Sequence, residues 1–254
     1  MTNKDFIKNP HLEGDDFFWK GNSIGFLLIH GFTATTTEVR LIAEKLHKQG
    51  FTAAGPLLPG HGTDPDDMNR TTWSMWVEKV KTFYEKLLRT CDHVYVIGES
   101  MGALLTIELA AQHPEIPGLV LAAPAIKVDL LWLAHLIAPF KPYLNKKGKD
   151  DDLAWKGYTV EPLRAAVQLH QLQKHARKQL KKITQPTLVL SGEYDQSIAQ
   201  DSIEMIMAGI RSSRKQHIHM EGSGHCILLD QELEQVFSHI LTFTGLSEMQ
   251  TQRL

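Results

Sequence analysis

The sequence predicts an α/β fold, a mostly parallel sheet with helices on both faces. Three observations predict it. Short, nearly continuous apolar runs alternate with helical patterns along the chain. Those runs lack the apolar/polar alternation of a half-exposed strand, as strands buried on both faces must. And Gly98-Glu99-Ser100-Met101-Gly102 marks a sharp turn from a strand into a helix. The 254 residues, 43% hydrophobic and 22% charged, suit one large domain carrying an insertion.

The elements follow in order. Gly25-Phe26-Leu27-Leu28-Ile29 reads as a buried strand. Glu38 to Gln49 is a helix with Val39, Ile42, Ala43 and Leu46 on one face. Thr35 and Glu38 are spaced as a capping box at its start, and Gly50 stops it. Phe51-Thr52-Ala53-Ala54 is the next strand, and Trp73 to Leu88 an amphipathic helix. The strand His93 to Ile97 leads through the glycine turn into a helix from Met101. Gly118 to Ala122 and Thr187 to Leu190 are further strands, Lys215 to Met220 a strand near the sheet edge, and Gln231 to Thr244 a closing helix.

One stretch breaks the rhythm. Between Pro124 and Ile183 no strand is evident. Val128 to Ala138 is apolar around most of a helix, Asn145 to Asp152 is charged and loop-like, and Pro162 to Lys182 is an amphipathic helix ending in a basic run. An all-helical insertion there would lie over the strand ends as a lid. The alternative is that these helices cover one face of the sheet. The expected division is a core of residues 1–124 and 184–254 with a helical cap of residues 125–183.

Bulk properties narrow the function. A formal net charge of −2 gives no electrostatic case for nucleic acid or an anionic membrane. The first ten residues lack the apolar core of a signal peptide, and no apolar run is long enough to span a bilayer. A cytoplasmic protein without stable membrane insertion is expected. Cys91 and Cys226 read as two free thiols, Cys226 as a small packing residue.

The serine turn carries the chemistry. Gly-x-Ser-x-Gly alone arises by chance in about one chain of this length in twenty, given a background of about 7% glycine. The strand before it and the helix after it supply the specificity. A side chain at Gly98 or Gly102 would meet neighbouring backbone, and the turn strains Ser100 so that its hydroxyl stands clear of the sheet. The helix N-terminus there favours developing negative charge.

A serine hydroxyl needs a base, and the base a third group to orient it. His225 lies in Glu221-Gly222-Ser223-Gly224-His225, just after the last strand. Asp195 follows the Thr187 strand in Ser191-Gly192-Glu193-Tyr194-Asp195. The chain order Ser, Asp, His suits this kind of sheet. Glu193 and Asp201 are fallback acids, and the alternative for Asp195 is a turn or cap residue, which its position also permits. Two backbone N–H donors should face the oxyanion, one from Met101 and one from Phe32 in His30-Gly31-Phe32-Thr33. His30 reads as a support for that loop, and the Phe32 ring as a wall of an acyl pocket. His217-Ile218-His219 offers two imidazoles without a third ligand, so no metal site is expected. Pro59-Gly60-His61-Gly62 lacks the lysine and spacing of a phosphate loop and reads as a turn near the site mouth.

Together His30-Gly31-Phe32-Thr33, Leu58-Pro59-Gly60-His61-Gly62-Thr63, Gly98 to Gly102, Asp195 and Gly224-His225 resemble the α/β-hydrolase fold. More narrowly, they resemble small bacterial carboxylesterases and monoacylglycerol lipases. The likeness runs from about Gly25 to Phe243 and is weakest over Ile126 to Lys182. It implies a triad of Ser100, Asp195 and His225, oxyanion donors at Phe32 and Met101, and a small helical cap inserted after the sixth strand over an apolar acyl channel. Glu99 stands where several relatives carry leucine, and the charged Lys146 to Asp152 segment is this chain's own.

The expected reaction is hydrolysis of a carboxylic ester through an acyl-enzyme, with no cofactor. The expected partner is a small-molecule ester with an apolar acyl group, since Leu130, Leu131, Leu133, Leu136, Ile137 and Phe140 make the cap apolar. Leu130, Leu133 and Ile137, with Phe32, are the candidate substrate contacts. A thioesterase, lysophospholipase or aromatic-acid esterase would use the same machinery. A hydrolase-like binding protein that had lost catalysis would lack a triad member.

Overall fold

The computed structural model describes residues 6–146 and 153–247. Its frame is a seven-stranded sheet. In chain order the strands are β1 (Ile7–Lys8), β2 (Phe17–Trp19), β3 (Ile24–Ile29), β4 (Thr52–Gly55), β5 (His93–Glu99), β6 (Leu119–Ala122), β7 (Tyr143–Asn145), β8 (Gly157–Tyr158), β9 (Val160–Pro162), β10 (Thr187–Gly192) and β11 (Lys215–Met220). The central sheet runs β11-β10-β6-β5-β3-β4-β2, and every pairing in it is parallel except that of β2 with β4.

The helices are α1 (Thr37–Lys48), α2 (Pro65–Asn69), α3 (Trp73–Leu88), α4 (Met101–Ala110), α5 (Ala134–Ile137), α6 (Leu163–Gln179), α7 (Ser202–Gly209) and α8 (Leu233–Thr244). Successive side chains of a strand point to opposite faces. Along β3, Leu27 and Ile29 join the core under α3, α4 and α6, while Phe26 and Leu28 join the core under α1 and α8. Both faces are therefore dry, which is why these strands read as continuous apolar runs. α4 lies so deep that every one of its residues is buried.

Strand order reverses between β3 and β5. The chain leaves β3 toward β4 on one side and leaves β5 toward β6 on the other. Such a reversal opens a crevice at the carboxyl ends of the strands. The register keeps those ends level: Ile29 pairs with Gly98, Glu99 with Ala122, Ala122 with Leu190, and Gly192 with Met220.

Three expectations are corrected. The segment between β6 and β10 is not all helical. It contains β7 and β9, paired antiparallel, and β8, paired antiparallel with β1. Strands of two or three residues leave no period in the sequence, and partners outside the local stretch supply their hydrogen bonds: Tyr143 pairs with Pro162, and Tyr158 with Ile7. Val128 to Ala138 is likewise not one helix. Leu130 takes a left-handed conformation (φ 59°), a 3₁₀ turn covers Leu131–Leu133, and α5 is a single turn before Pro139. The capping box does not form either. Thr36 is the N-cap of α1 and makes no side-chain cap bond. The Glu38 carboxylate instead accepts the N–H of Gly31 at 2.5 Å. The charged stretch after Lys146 lies, from Lys147 to Asp152, outside the described residues.

Candidate active site

Ser100 ends the β5–α4 turn with φ 55° and ψ −113°, a strained backbone for a residue with a side chain. The two glycines make that turn possible. A Cβ on Gly98 would sit 2.3 Å from the Gly102 carbonyl oxygen, and one on Gly102 only 2.1 Å from the Ile29 carbonyl oxygen. The turn is pinned from outside as well, because the Ser100 N–H donates to the Ala122 carbonyl at 2.9 Å.

The Ser100 Oγ lies 2.9 Å from His225 Nε2, and His225 Nδ1 lies 2.8 Å from Asp195 Oδ2. An ionised aspartate only accepts, so it fixes the proton on Nδ1 and leaves Nε2 to accept from the serine. The other aspartate oxygen accepts the Ser197 N–H at 2.7 Å, which stops the carboxylate from rotating. The Asp195 side chain is 4% exposed and that of His225 17%, so the ion-pair partner of the imidazole is nearly dry. Serine, histidine and aspartate come from three loops, after β5, β11 and β10, and the parallel register alone brings them together. The fallback acids are engaged elsewhere, Glu193 with His219 at 2.7 Å and Asp201 with Lys127 at 2.7 Å.

The loop after β3 is held at almost every polar group. His30 Nδ1–H donates to the Gly31 carbonyl at 2.9 Å, while its Nε2 accepts the Leu58 N–H at 3.1 Å. Burial lowers the His30 pKa to about 4, so the ring stays neutral and can do both. The Thr33 hydroxyl donates to the Phe32 carbonyl at 2.6 Å, and the Thr33 carbonyl accepts the Tyr158 N–H at 2.9 Å. Lys146 donates to the same Thr33 hydroxyl. None of these bonds uses the Phe32 N–H. Met101 is the first residue of α4, so its N–H has no acceptor within the helix.

The remaining sequence candidates fall as follows. Phe32 packs with Leu131 and Ile137 against Ala134, Ala138, Leu163 and Ala166 of the inserted segment. Leu133 is half-buried and Leu130 is 66% exposed. Gly60 (φ 79°) and Gly62 (φ 72°) turn the 59–63 loop, whose His61 is buried against His30 at 4.9 Å between ring centres. His217 and His219 both face the Ser191 hydroxyl, at 2.8 and 3.0 Å. Cys226 donates weakly to Glu38. Sequence reasoning missed Glu38 and Glu99 as inhabitants of this region. For Glu99 the signal was a charged residue inside an otherwise apolar strand-to-helix run; Glu38, in a helix with several other charged residues, gave none.

The model of the family described as serine aminopeptidase, S33, matches residues 25–152 and 142–232. The chain belongs to this family. It is a hydrolase of the α/β-hydrolase fold. It is 33% identical over 239 residues to a thermostable monoacylglycerol lipase of Bacillus sp. (strain H-257), covering 92% of this chain and 96% of that one. To a carboxylesterase of Bacillus subtilis (strain 168) it is 28% identical over 233 residues, covering 89% and 94%. A solved structure from work on the metagenome-derived lipolytic enzymes LipS and LipT superposes with a TM-score of 0.87 at 28% identity, covering 91% of this hydrolase and 97% of that chain. The Paleococcus ferrophilus monoacylglycerol lipase shares the fold, with a TM-score of 0.76 at 19% identity over 93% and 100% of the two chains. Among the described residues of this hydrolase, no helix is long and apolar enough to cross a membrane.

Proposed function

We propose that this ester hydrolase cleaves single-chain acyl esters such as monoacylglycerols, with Ser100, His225 and Asp195 as its triad. The supporting observation is the Ser100–His225–Asp195 relay, at 2.9 and 2.8 Å, set beside the apolar wall of Phe32, Leu131 and Ile137. Ser100 attacks the ester carbonyl while Nε2 of His225 takes its proton. Asp195 steadies the imidazolium that forms. The N–H groups of Phe32 and Met101 receive the charge on the carbonyl oxygen, and removing one such donor typically costs about 100- to 1000-fold in rate. His225 then protonates the departing alcohol, and the acyl-enzyme is hydrolysed by a water that the same histidine activates.

The inserted segment is the natural cap of this site. Residues 125–183 supply the apolar side chains opposite Phe32, and α6 is tied to the core where His175 bonds the buried Glu108 at 2.7 Å. An acyl chain lying along Phe32 would replace contact among these side chains with contact to lipid, and each buried methylene would contribute about 0.8 kcal/mol.

The test is a series of nitrophenyl esters of increasing acyl length, run beside mono-, di- and triacylglycerols. The expected result is kcat/KM rising from acetate to a medium-chain ester, with monoacylglycerol preferred. Activity confined to acetate, or strongest on triacylglycerol, would remove the substrate assignment. A fluorophosphonate probe tests the triad separately: wild type should label stoichiometrically and Ser100→Ala should not.

A further inference from the structure

Two carboxyl groups are buried behind the relay, and the acyl-transfer scheme assigns neither a task. Glu38, on the first turn of α1, accepts the Gly31 N–H on one oxygen at 2.5 Å and the thiol of Cys226 on the other at 3.7 Å. One side chain thus spans the loop that carries Phe32 and the loop that carries His225. It sits close to the nucleophile too: a Cβ built on Gly31 would lie 3.0 Å from Glu38 Oε2 and 3.1 Å from Ser100 Cβ. Glu99, the neighbour of Ser100, accepts the Leu228 N–H on Oε1 at 2.9 Å. Its Oε2 is buried and meets no hydrogen-bond partner among the described residues.

Two dry carboxyls within electrostatic reach of each other do not both ionise. Their surroundings decide which one does. Facing Glu38 are the Gly31 amide, His225 and Cys226, Lys146 after β7, and Glu99 from β5. All of these but Glu99 favour a negative charge. Facing Glu99 are the amides of Leu228 and Ile227, which favour charge, and the carboxyls of Glu38 and Asp195, which oppose it. Burial pushes both groups above the usual carboxylate range, and Glu99 the further of the two. The orphaned Glu99 oxygen is the place for the proton.

We propose that Glu38 and Glu99 share a single negative charge held on Glu38, and that Glu38 is a positioning residue for ester hydrolysis. Ionised, it anchors the oxyanion loop through Gly31 and faces the imidazole of His225 as the reaction charges it. Glu99 is the neutral, proton-bearing member. The proposal rests on the triad reading above.

The pair is tested by infrared spectroscopy and by pH profiles of nitrophenyl butyrate hydrolysis. At neutral pH the wild type should show the carbonyl stretch of a buried protonated carboxylic acid, kept in Glu38→Gln and lost in Glu99→Gln. Glu38→Gln keeps size and an oxygen for Gly31 but loses the charge. Its kcat should fall about tenfold with KM within about twofold. The acid limb of its kcat/KM should move down by about half a pH unit, because an anion that favours the imidazolium is gone. Glu38→Asp, which keeps the charge, should leave that limb in place, as should Glu99→Gln. A wild type without the acid band overturns the proposal. So does a Glu38→Gln enzyme with wild-type kcat and an unmoved limb, or a limb that moves in Glu99→Gln instead. If Glu38→Gln does not fold, the wild-type and Glu99→Gln spectra still decide where the proton sits. A wild type that fluorophosphonate does not label removes the triad reading and this pair with it. Labelling combined with an unmoved limb in Glu38→Gln overturns the pair alone.

Discussion

Replacing Gly102 by alanine should disable the enzyme without touching any group that reacts. The added Cβ would lie 2.1 Å from the Ile29 carbonyl oxygen, 2.7 Å from the Ile29 carbonyl carbon and 2.8 Å from the His30 carbonyl oxygen. A carbon and a carbonyl oxygen sit comfortably at about 3.3 Å, so the shortfall is about 1.2 Å. All three atoms are backbone, at the end of the central strand β3, and no rotamer change relieves the clash. The start of α4 must back away by about 1 Å. That movement carries Ser100 and the Met101 amide away from the Phe32 amide. Misplacing reacting groups by about 1 Å costs about 100-fold, and overpacking a core costs about 1–3 kcal/mol. For a chain of this size that stability loss lowers Tm by about 2–12 °C. The assay is kcat on nitrophenyl butyrate with a thermal melt of the same sample. Gly224→Ala is the control, since its Cβ would meet only Asp230 Oδ2, at an ordinary 3.6 Å. A Gly102→Ala enzyme with wild-type kcat and an unchanged melt would refute the steric argument.

Other perturbations separate the remaining parts. Asp195→Asn should leave the fold intact and lower kcat by about four orders of magnitude, because the amide can donate to Nδ1 and favour the wrong tautomer; a loss under tenfold would point to a different orienting acid. Phe32→Ala keeps its N–H, so kcat/KM should fall more for a medium-chain ester than for acetate, by about 10-fold or more; equal losses would place the acyl chain elsewhere. Glu99→Gln should raise Tm, and by more at pH 8 than at pH 5. The folded carboxyl holds its proton above the usual carboxylate range because it is buried, while the unfolded one releases it. The cost of folding it therefore grows as pH rises from the ordinary carboxylate range toward the raised folded value. An equal change in Tm at both pH values would count against a buried neutral Glu99.

Much of the frame was legible because its causes are local. β3, β5, β6 and β10 announce themselves as apolar runs, since each is buried on both faces. β2 did not, because Phe17–Trp19 is three residues long and owes its place to β4. β7, β8 and β9 stayed hidden for the same reason. Leu130 and Ile137 read alike in sequence, but the left-handed turn at Leu130 leaves that side chain outside while Ile137 reaches the packing around Phe32.

By itself the sequence determined the serine turn, since the clashes that demand Gly98 and Gly102 arise within a few residues of Ser100 or against the strand beside it. It determined the order of the sheet-building units for the same reason, as strand burial and helix periodicity are properties of near neighbours. Only the tertiary structure decided what each charged group touches. The spacing of Thr35 and Glu38 suggested a helix cap, yet Glu38 turned to Gly31, and Asp195 rather than Glu193 met His225. Hydrogen bonds between loops depend on which strand ends lie side by side, and strand register sets that.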